Sequence, residues 1–241
     1  MEIPLYQVDA FTGQVFHGNP AAVCPLEAWL DDETMRAIAA ENNLSETAFF
    51  VREGEGYALR WFTPKAEVDL CGHATLASAF VILEILDPTR QQVAFSTKSG
   101  TLTVTREGPR LVMNFPSRPG EPATASEALL RGLGREPQAV LRSRDYLVLY
   151  DSEATIRALV PDMAALMEVD SLGVIVTAPG EYADFVSRFF APRVGVPEDP
   201  VTGSAHCTLI PYWSNRLGKA EMTAWQRSEE RRVGKECRSR W

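Results

Sequence analysis

The 241 residues are 45% hydrophobic and 23% charged, an ordinary globular composition long enough for one large domain or two small ones, each with its own core. A formal net charge of −8 excludes a nucleic-acid binder, because phosphate neutralisation needs clustered Lys and Arg. No apolar run approaches the roughly 20 residues that span a bilayer, and no basic segment precedes an apolar one at the N-terminus, so a cytoplasmic protein without membrane partners is expected.

In chain order, "IPLYQVDAF" alternates and is rich in β-formers, which predicts an opening strand closed by a Thr12-Gly13 turn. "VFHGNPAAVCPL" predicts a Gly-Asn-Pro turn and a short strand from Ala21 to Cys24. From Asp31 to Glu41, apolar residues at Met35, Ile38 and Ala39 follow an acidic first turn, the charge that suits a helix N-terminus. "SETAFFV" and "YALRWFT" read as strands, and "HATLASAFVILEIL" as a helix buried on most sides. "QVAFSTKSGTLTVTREGPRLVMNFP" reads as a β-meander with turns at Ser99-Gly100 and Gly108-Pro109.

The stretch from Pro116 to Ser126 predicts a boundary between an N-terminal domain, 1–117, and a C-terminal one, 118–226. The second domain repeats the order of the first. "AVLRSRDYLVLY" reads as a strand pair, "SEATIRALVPDMAALMEV" as a helix interrupted at proline, "GVIVTAP" and "DFVSRFFAP" as strands, and "GSAHCTLIPYWSNRLG" as an apolar helix. The fold class is therefore α+β, with two pseudo-symmetric domains, each a mixed sheet around one apolar helix. Residues 227–241, "RSEERRVGKECRSRW", carry six basic residues against three acidic ones and no apolar periodicity. The string resembles a translated sequencing adapter and is set apart as an artefactual tail.

Two stretches are near copies. "RWFTPK" from Arg60 matches "RFFAPR" from Arg188 at a shift of 128, Val68 matches Val196, and after three extra residues Gly72-His73-Ala74 matches Gly203-Ser204-Ala205. Each copy sets a glycine at a turn ahead of an apolar helix, whose free N–H groups suit a carboxylate. The same glycines equally serve the turn alone, and Thr202 and Ser204 stand where an N-cap would. His73 reads as a catalyst or as a hydrogen-bonded structural residue, and the other two histidines offer no ligand spacing, so no metal is expected. Of the four cysteines, Cys24, Cys71, Cys207 and Cys237, none forms a CxxC pair, which fits reduced thiols. Cys71 is a candidate nucleophile or base at a helix N-terminus, without a cysteine counterpart in "DPVTG", and Cys207 reads as core. Glu46, in "ENNLSETAFF", sits among apolar and small neighbours whose burial would raise its pKa toward neutrality; it reads equally as a polar turn before a strand. Asp199, in "PEDPVTG", reads as a cap or as a second carboxylate.

Together "VDAFTGQVFHGNPAAV", "NNLSETAFF", "RWFTPKAEVDLCGHATLASA" and "EDPVTGSAHCTL" resemble the PhzF-like family, named for phenazine biosynthesis and related to diaminopimelate epimerase. The resemblance implies two barrel-like domains with the active site in the cleft between them, and homodimers. It implies Glu46 as general acid/base, His73 and Asp199 as its partners, and Gly72, Gly203 and Ser204 as pocket residues, with Asn19 of "HGNPAAV" a further substrate-binding candidate. The expected activity is a cofactor-independent isomerisation of a small carboxylate-bearing metabolite by proton transfer. The alternatives are a racemase using Cys71, and a non-catalytic small-acid binder or truncated inactive chain. Family members continue past the "RLGK" helix with further strands, so the second domain is expected to lack its closing strands and to leave a sheet edge unpaired.

Overall fold

This computed structural model describes residues 2–14, 16–228 and 235–240, and divides into two compact units, Met1–Pro116 and Ser117–Trp241. The first unit holds strands β1 (Tyr6–Ala10), β2 (Asn19–Leu26), β3 (Glu46–Glu53), β4 (Gly56–Phe62), β5 (Glu67–Val68), β6 (Gln92–Thr97), β7 (Gly100–Glu107) and β8 (Arg110–Asn114), with helices α1 (Asp32–Asn42) and α2 (Gly72–Phe80). The sheet runs β1-β2-β3-β4-β6-β7-β8, with β5 beside β4. The pairs β2/β3 and β4/β6 are parallel, and β3/β4 is antiparallel. Helix α1 starts where Asp31 accepts from the Thr34 backbone N–H at 2.8 Å and ends where Asn43 turns left-handed. It buries Met35 and Ala39 against Phe49 and Phe62, whose rings meet edge to face at 5.6 Å.

Helix α2 packs on β1, β2 and β3, and its small residues Ala74, Ala77 and Ala79 are fully buried, which permits close approach to the sheet. The apolar run behind it departs from the uniform buried helix expected. Val81–Leu86 takes the wider π-helical turn, closed by the Asp87 N–H on the Ile82 carbonyl at 2.7 Å. Val81, Ile82 and Leu83 stay buried, whereas Ile85 and Leu86 emerge at the surface.

The second unit holds strands β9 (Glu121–Pro122), β10 (Ala139–Arg142), β11 (Tyr146–Leu149), β12 (Val174–Pro179), β13 (Phe185–Phe190), β14 (Glu221–Gln226) and β15 (Lys235–Arg240). Its helices are α3 (Glu127–Leu133), α4 (Glu153–Ala158), α5 (Met163–Met167) and α6 (His206–Leu217), the last preceded by a 3₁₀ turn, Gly203–Ala205. The sheet order is β15-β14-β13-β12-β11-β10-β9. The largely apolar character of "GVIVTAP" and of "FVSRFF", apart from Ser187 and Arg188, is explained by burial on both faces. Val174, Val176 and Ala178 pack with Leu129, Ile156 and Leu166 of α3, α4 and α5, while Ile175 packs with Leu209, Ile210 and Trp213 of α6. Trp213 stacks on Phe185 at 5.5 Å and donates its indole N–H to the Thr177 hydroxyl at 3.0 Å. The molecule is thus a mixed α+β protein with two sheets. Among the described residues no helix is long and apolar enough to cross a membrane.

The tail set apart on composition departs from expectation. Residues 229–234 and 241 lie outside the described residues, but Lys235–Arg240 forms β15 and pairs antiparallel with β14. The sheet edge expected to be unpaired is therefore covered, because main-chain pairing places few demands on side-chain composition. Arg227, the first tail residue, stands 2.8 Å from Glu153 and donates its backbone N–H to the Ser187 carbonyl.

The repeat noticed in the sequence reappears as a repeated ion pair. Arg60 grips Glu67 with Nε at 2.8 Å and Nη2 at 2.9 Å, and Arg188 grips Glu198 with both at 2.9 Å. Each guanidinium also stacks over the phenylalanine two residues on, Phe62 at 5.1 Å and Phe190 at 5.0 Å. Glu67 and Glu198 are thus equivalent, so the three extra residues of the second copy enter ahead of Glu198 rather than after Val196. The pairs differ in burial: Arg188 and Glu198 are 2% and 5% exposed, and Arg188 also donates to the Ile156 and Leu159 carbonyls, while the first pair is partly solvated.

Removing one partner of a buried pair strands a charge, so Glu198→Gln should cost about 3–5 kcal/mol in denaturant unfolding, against about 1 kcal/mol or less for Glu67→Gln. Hydrogen bonding from Arg60, then Lys98, holds the Glu67 carboxyl below its usual range. A depressed carboxylate stabilises the fold above its unfolded value, 4.5, and that stability is lost as pH falls through the folded value. Wild type should accordingly lose more stability than Glu67→Gln as pH drops below that point; equal losses would contradict the assignment.

Candidate functional site

The first glycine corner gathers a carboxylate, an imidazole and a thiol. Glu46 opens β3, where parallel pairing sets it opposite Ala21 of β2, and Asn19 lies fully buried two residues upstream on the same strand. Cys71 stands at the N-cap of α2 in extended conformation without a side-chain cap, and Gly72 and His73 form the first turn. The Thr75 hydroxyl donates to the Cys71 carbonyl at 2.5 Å and its N–H reaches the same oxygen at 3.2 Å, which fixes the corner's backbone. His73, 2% exposed, brings Nε2 to 3.3 Å from Glu46 Oε2, the carboxylate side chain being 14% exposed. The other ring nitrogen, Nδ1, lies 3.6 Å from Cys71 Sγ. Glu46, Cys71 and His73 therefore form one cluster of titratable groups, with the buried polar residues Thr47 and Thr75 on the same elements and Asn19 on the neighbouring β2. Of the other two described thiols, burial pushes Cys24 up to about 12 and Cys207 up to about 11, so both stay protonated and inert near neutrality.

The second corner is built from hydroxyls, an amide and a carboxylate. Asp199 directly follows Glu198 of the buried ion pair, and its backbone N–H is held by the Phe189 carbonyl at 3.0 Å. Its Oδ2 accepts from the Thr202 hydroxyl at 2.6 Å. Gln226, at the end of β14, accepts the Thr202 N–H at 2.7 Å and donates to the Asp199 carbonyl at 2.6 Å and to the Thr202 hydroxyl at 3.0 Å. Thr202 therefore makes no cap bond of its own, contrary to one of its expected roles. Ser204, the other residue considered as a cap, receives Arg144 Nη2 at 3.2 Å, while Arg144 also pairs with Asp145 at 2.7 Å. His206 Nδ1 lies 3.1 Å from the Thr202 carbonyl.

Of the residues singled out from sequence, the structure brings Glu46, His73 and Cys71 together and sets Asn19 at the same end of the sheet. In the second unit it gathers Asp199, Gly203 and Ser204 on one corner. Arg144, His206 and Gln226 were missed. Gln226 lies beyond the repeat, where composition reads as the start of the tail, and "RSRDY" reads as an ordinary hairpin turn; only His206, one turn beyond Gly203, carried a signal.

Two mixed sheets, each bearing a helix behind a similar glycine corner, define an epimerase-like fold of two units. A family model for phenazine biosynthesis-like proteins matches residues 8–239, and the chain belongs to that family. It is 56% identical to an uncharacterized isomerase of Pseudomonas aeruginosa, over 94% of this chain and 87% of the relative. A crystal structure of a phenazine biosynthesis protein of the PhzF family from Enterococcus faecalis superposes with a TM-score of 0.88 at 45% identity, over 100% of this chain and 92% of that one. A probable proline racemase from Agrobacterium radiobacter shares the fold at a TM-score of 0.62 and 12% identity, over 98% and 83%.

Gln226 joins β14 to the second corner through three buried hydrogen bonds. Gln226→Ala leaves the Thr202 N–H and the Asp199 carbonyl without this partner, so a loss of about 1–3 kcal/mol is expected in denaturant unfolding; an unchanged midpoint would show that the amide is dispensable.

Proposed function

We propose that this protein is an isomerase that moves a proton between carbons of a small carboxylate-bearing metabolite, with Glu46 as general acid/base. The observation that carries the reading is the 3.3 Å approach of Glu46 Oε2 to His73 Nε2 at the start of a buried helix. Glu46 as carboxylate takes a proton from a carbon made acidic by a neighbouring carboxylate or conjugated group. The C–H electron pair then delocalises into that group, and the new Glu46 carboxyl returns the proton to a different carbon of the same system. His73, with Nε2 at 3.3 Å from that carboxylate, stands close enough to support each charge state of Glu46 as the proton moves. No electron leaves the substrate, so the step needs no redox carrier. Family membership and relatives named isomerases support the reaction class.

Gly72 supplies backbone N–H at the α2 N-terminus, suited to a substrate carboxylate or the enolate formed in the transition state. By the repeat, Gly203 and Ser204 are assigned the same anion-holding role, Asp199 a hydrogen-bonding or proton-sharing one, and Asn19 a substrate contact. A soluble cytoplasmic enzyme acting as a homodimer is part of this proposal.

A second reading, a racemase whose base is the Cys71 thiolate, is favoured by the 3.6 Å contact of Sγ with His73 Nδ1, which pairs thiol and base as nucleophilic sites do. Two variants separate the readings. Under the leading one, Glu46→Gln lowers turnover and solvent-deuterium incorporation by about 10²–10⁴-fold while unfolding is unchanged, and Cys71→Ala keeps most activity. The reverse pattern would establish the thiol as the base.

A further inference from the structure

We infer that Glu46, Cys71 and His73 form a binding site for a divalent cation of the zinc class, through which the metal would block the enzyme. Binding itself is independent of the acid/base reading; only the effect on turnover rests on it. One ligand atom from each residue lies within 4.8 Å of the other two. Zinc holds sulfur at about 2.3 Å and nitrogen or oxygen at about 2.0–2.2 Å, so tetrahedral ligand atoms stand roughly 3.3–3.8 Å apart. The contacts of 3.3 Å and 3.6 Å lie in that range but use opposite nitrogens of His73. Metal uptake therefore turns the imidazole so that one nitrogen serves the cation together with the thiolate and carboxylate. The donor set selects among metals: thiolate and imidazole suit zinc, whereas Mg²⁺ and Ca²⁺ require six or more oxygens.

Charge favours occupancy as well. The N-terminus of α2 is the positive end of the helix dipole and would repel a bare cation, but the Glu46 carboxylate and a Cys71 thiolate bring two negative charges that neutralise a dication. The thiol proton passes to solvent on binding, so affinity should rise with pH. Three protein ligands leave a fourth position for water. The bound metal occupies the Glu46 and imidazole lone pairs that would otherwise move or hold the substrate proton, which makes it an inhibitor. The spacing of histidines in the sequence gave no sign of such a site because the ligands come from β3 and from the N-cap and first turn of α2.

The test titrates the full chain, carrying Cys237→Ser to remove the tail thiol, with Co²⁺ as a spectroscopic probe. One equivalent should produce thiolate-to-cobalt absorption in the near ultraviolet and the visible bands of four-coordinate cobalt. Zn²⁺ should bleach both, and excess Mg²⁺ should leave them. Cys71→Ser should abolish the near-ultraviolet band, Glu46→Gln and His73→Gln should weaken binding about tenfold or more, and Cys207→Ala should change nothing. Without any substitution at the site, Zn²⁺ should shield Cys71 from alkylation, read by peptide mass mapping, so misfolding of a variant leaves the test intact. No cobalt band at one equivalent, a band that survives Cys71→Ser, or no zinc protection would each overturn the site. An inactive Glu46→Gln alongside a missing band would retain the proton chemistry and reject the metal; an active Glu46→Gln with the band present would do the reverse.

Discussion

A guanidinium clasping a carboxylate across the end of a strand is the contact on which each glycine corner depends. In the second unit the constraint is severe, because a cation as buried as Arg188 is tolerable only if its donors are satisfied. Glu198 takes Nε and Nη2, and the Ile156 and Leu159 carbonyls take Nη1. One side chain thereby ties β13, the end of α4 and the loop leading to Asp199 into one unit. Asp199 follows as the next residue, so its position is set by the ion pair as much as by its own bonds. The Arg60–Glu67 pair does the same work ahead of Cys71 with more water around it and with Lys98 and Asp32 as added partners. The anion-holding role proposed for the corners would need their N–H groups fixed before a ligand arrives, and rigid anchoring of the preceding loop is suited to that.

Much of this was legible in the sequence because duplication is visible as repeated letters. The paired Arg-aromatic-Phe strands, the glycine corners and the two apolar helices could be read directly, and the acidic start of α1 follows from the charge that suits a helix N-terminus. What could not be read has physical causes. The π-helical turn at Val81–Leu86 preserves an apolar composition while changing which side chains are covered, so periodicity is blind to it. The location of the three extra residues was misjudged because Val196 resembles Val68 by letter, whereas the ion pair aligns Glu198 with Glu67. Strand β14 is short and ends in Gln226, whose burial comes from hydrogen bonds to Thr202 and Asp199 rather than from apolar character. Strand β15 was missed because its pairing to β14 is carried by main-chain groups, which every sequence possesses.

The two corners share a glycine at the entry to a helix and differ in their chemistry. Aligned on the ion pairs, Cys71 corresponds to Thr202, Gly72 to Gly203 and His73 to Ser204. Glycine is retained where the chain turns into the helix, while each flanking titratable side chain of the first corner is a hydroxyl in the second. The first corner therefore carries a thiol and an imidazole beside its glycine where the second carries hydroxyls, the second corner's titratable groups being Asp199 and His206. Where a two-thiol epimerase would need equivalent bases on both copies, this chain concentrates its proton-bearing groups at Glu46, Cys71 and His73.

That asymmetry bears on why the first corner is left open to a competing metal. A carboxylate, an imidazole and a thiol within reach of one another are what a proton relay requires, and the same lone pairs are what zinc requires. The second corner differs: its Asp199 oxygen accepts from a hydroxyl, its His206 Nδ1 faces the Thr202 carbonyl, and Thr202, Gln226 and Ser204 are poor ligands for a borderline-soft ion. Replacing Cys71 by the threonine found at the equivalent position would leave the Glu46–His73 contact in place while removing the softest ligand. Vulnerability to metal is thus attached to the thiol and separable from the carboxylate–imidazole pair, even though all three residues share one corner.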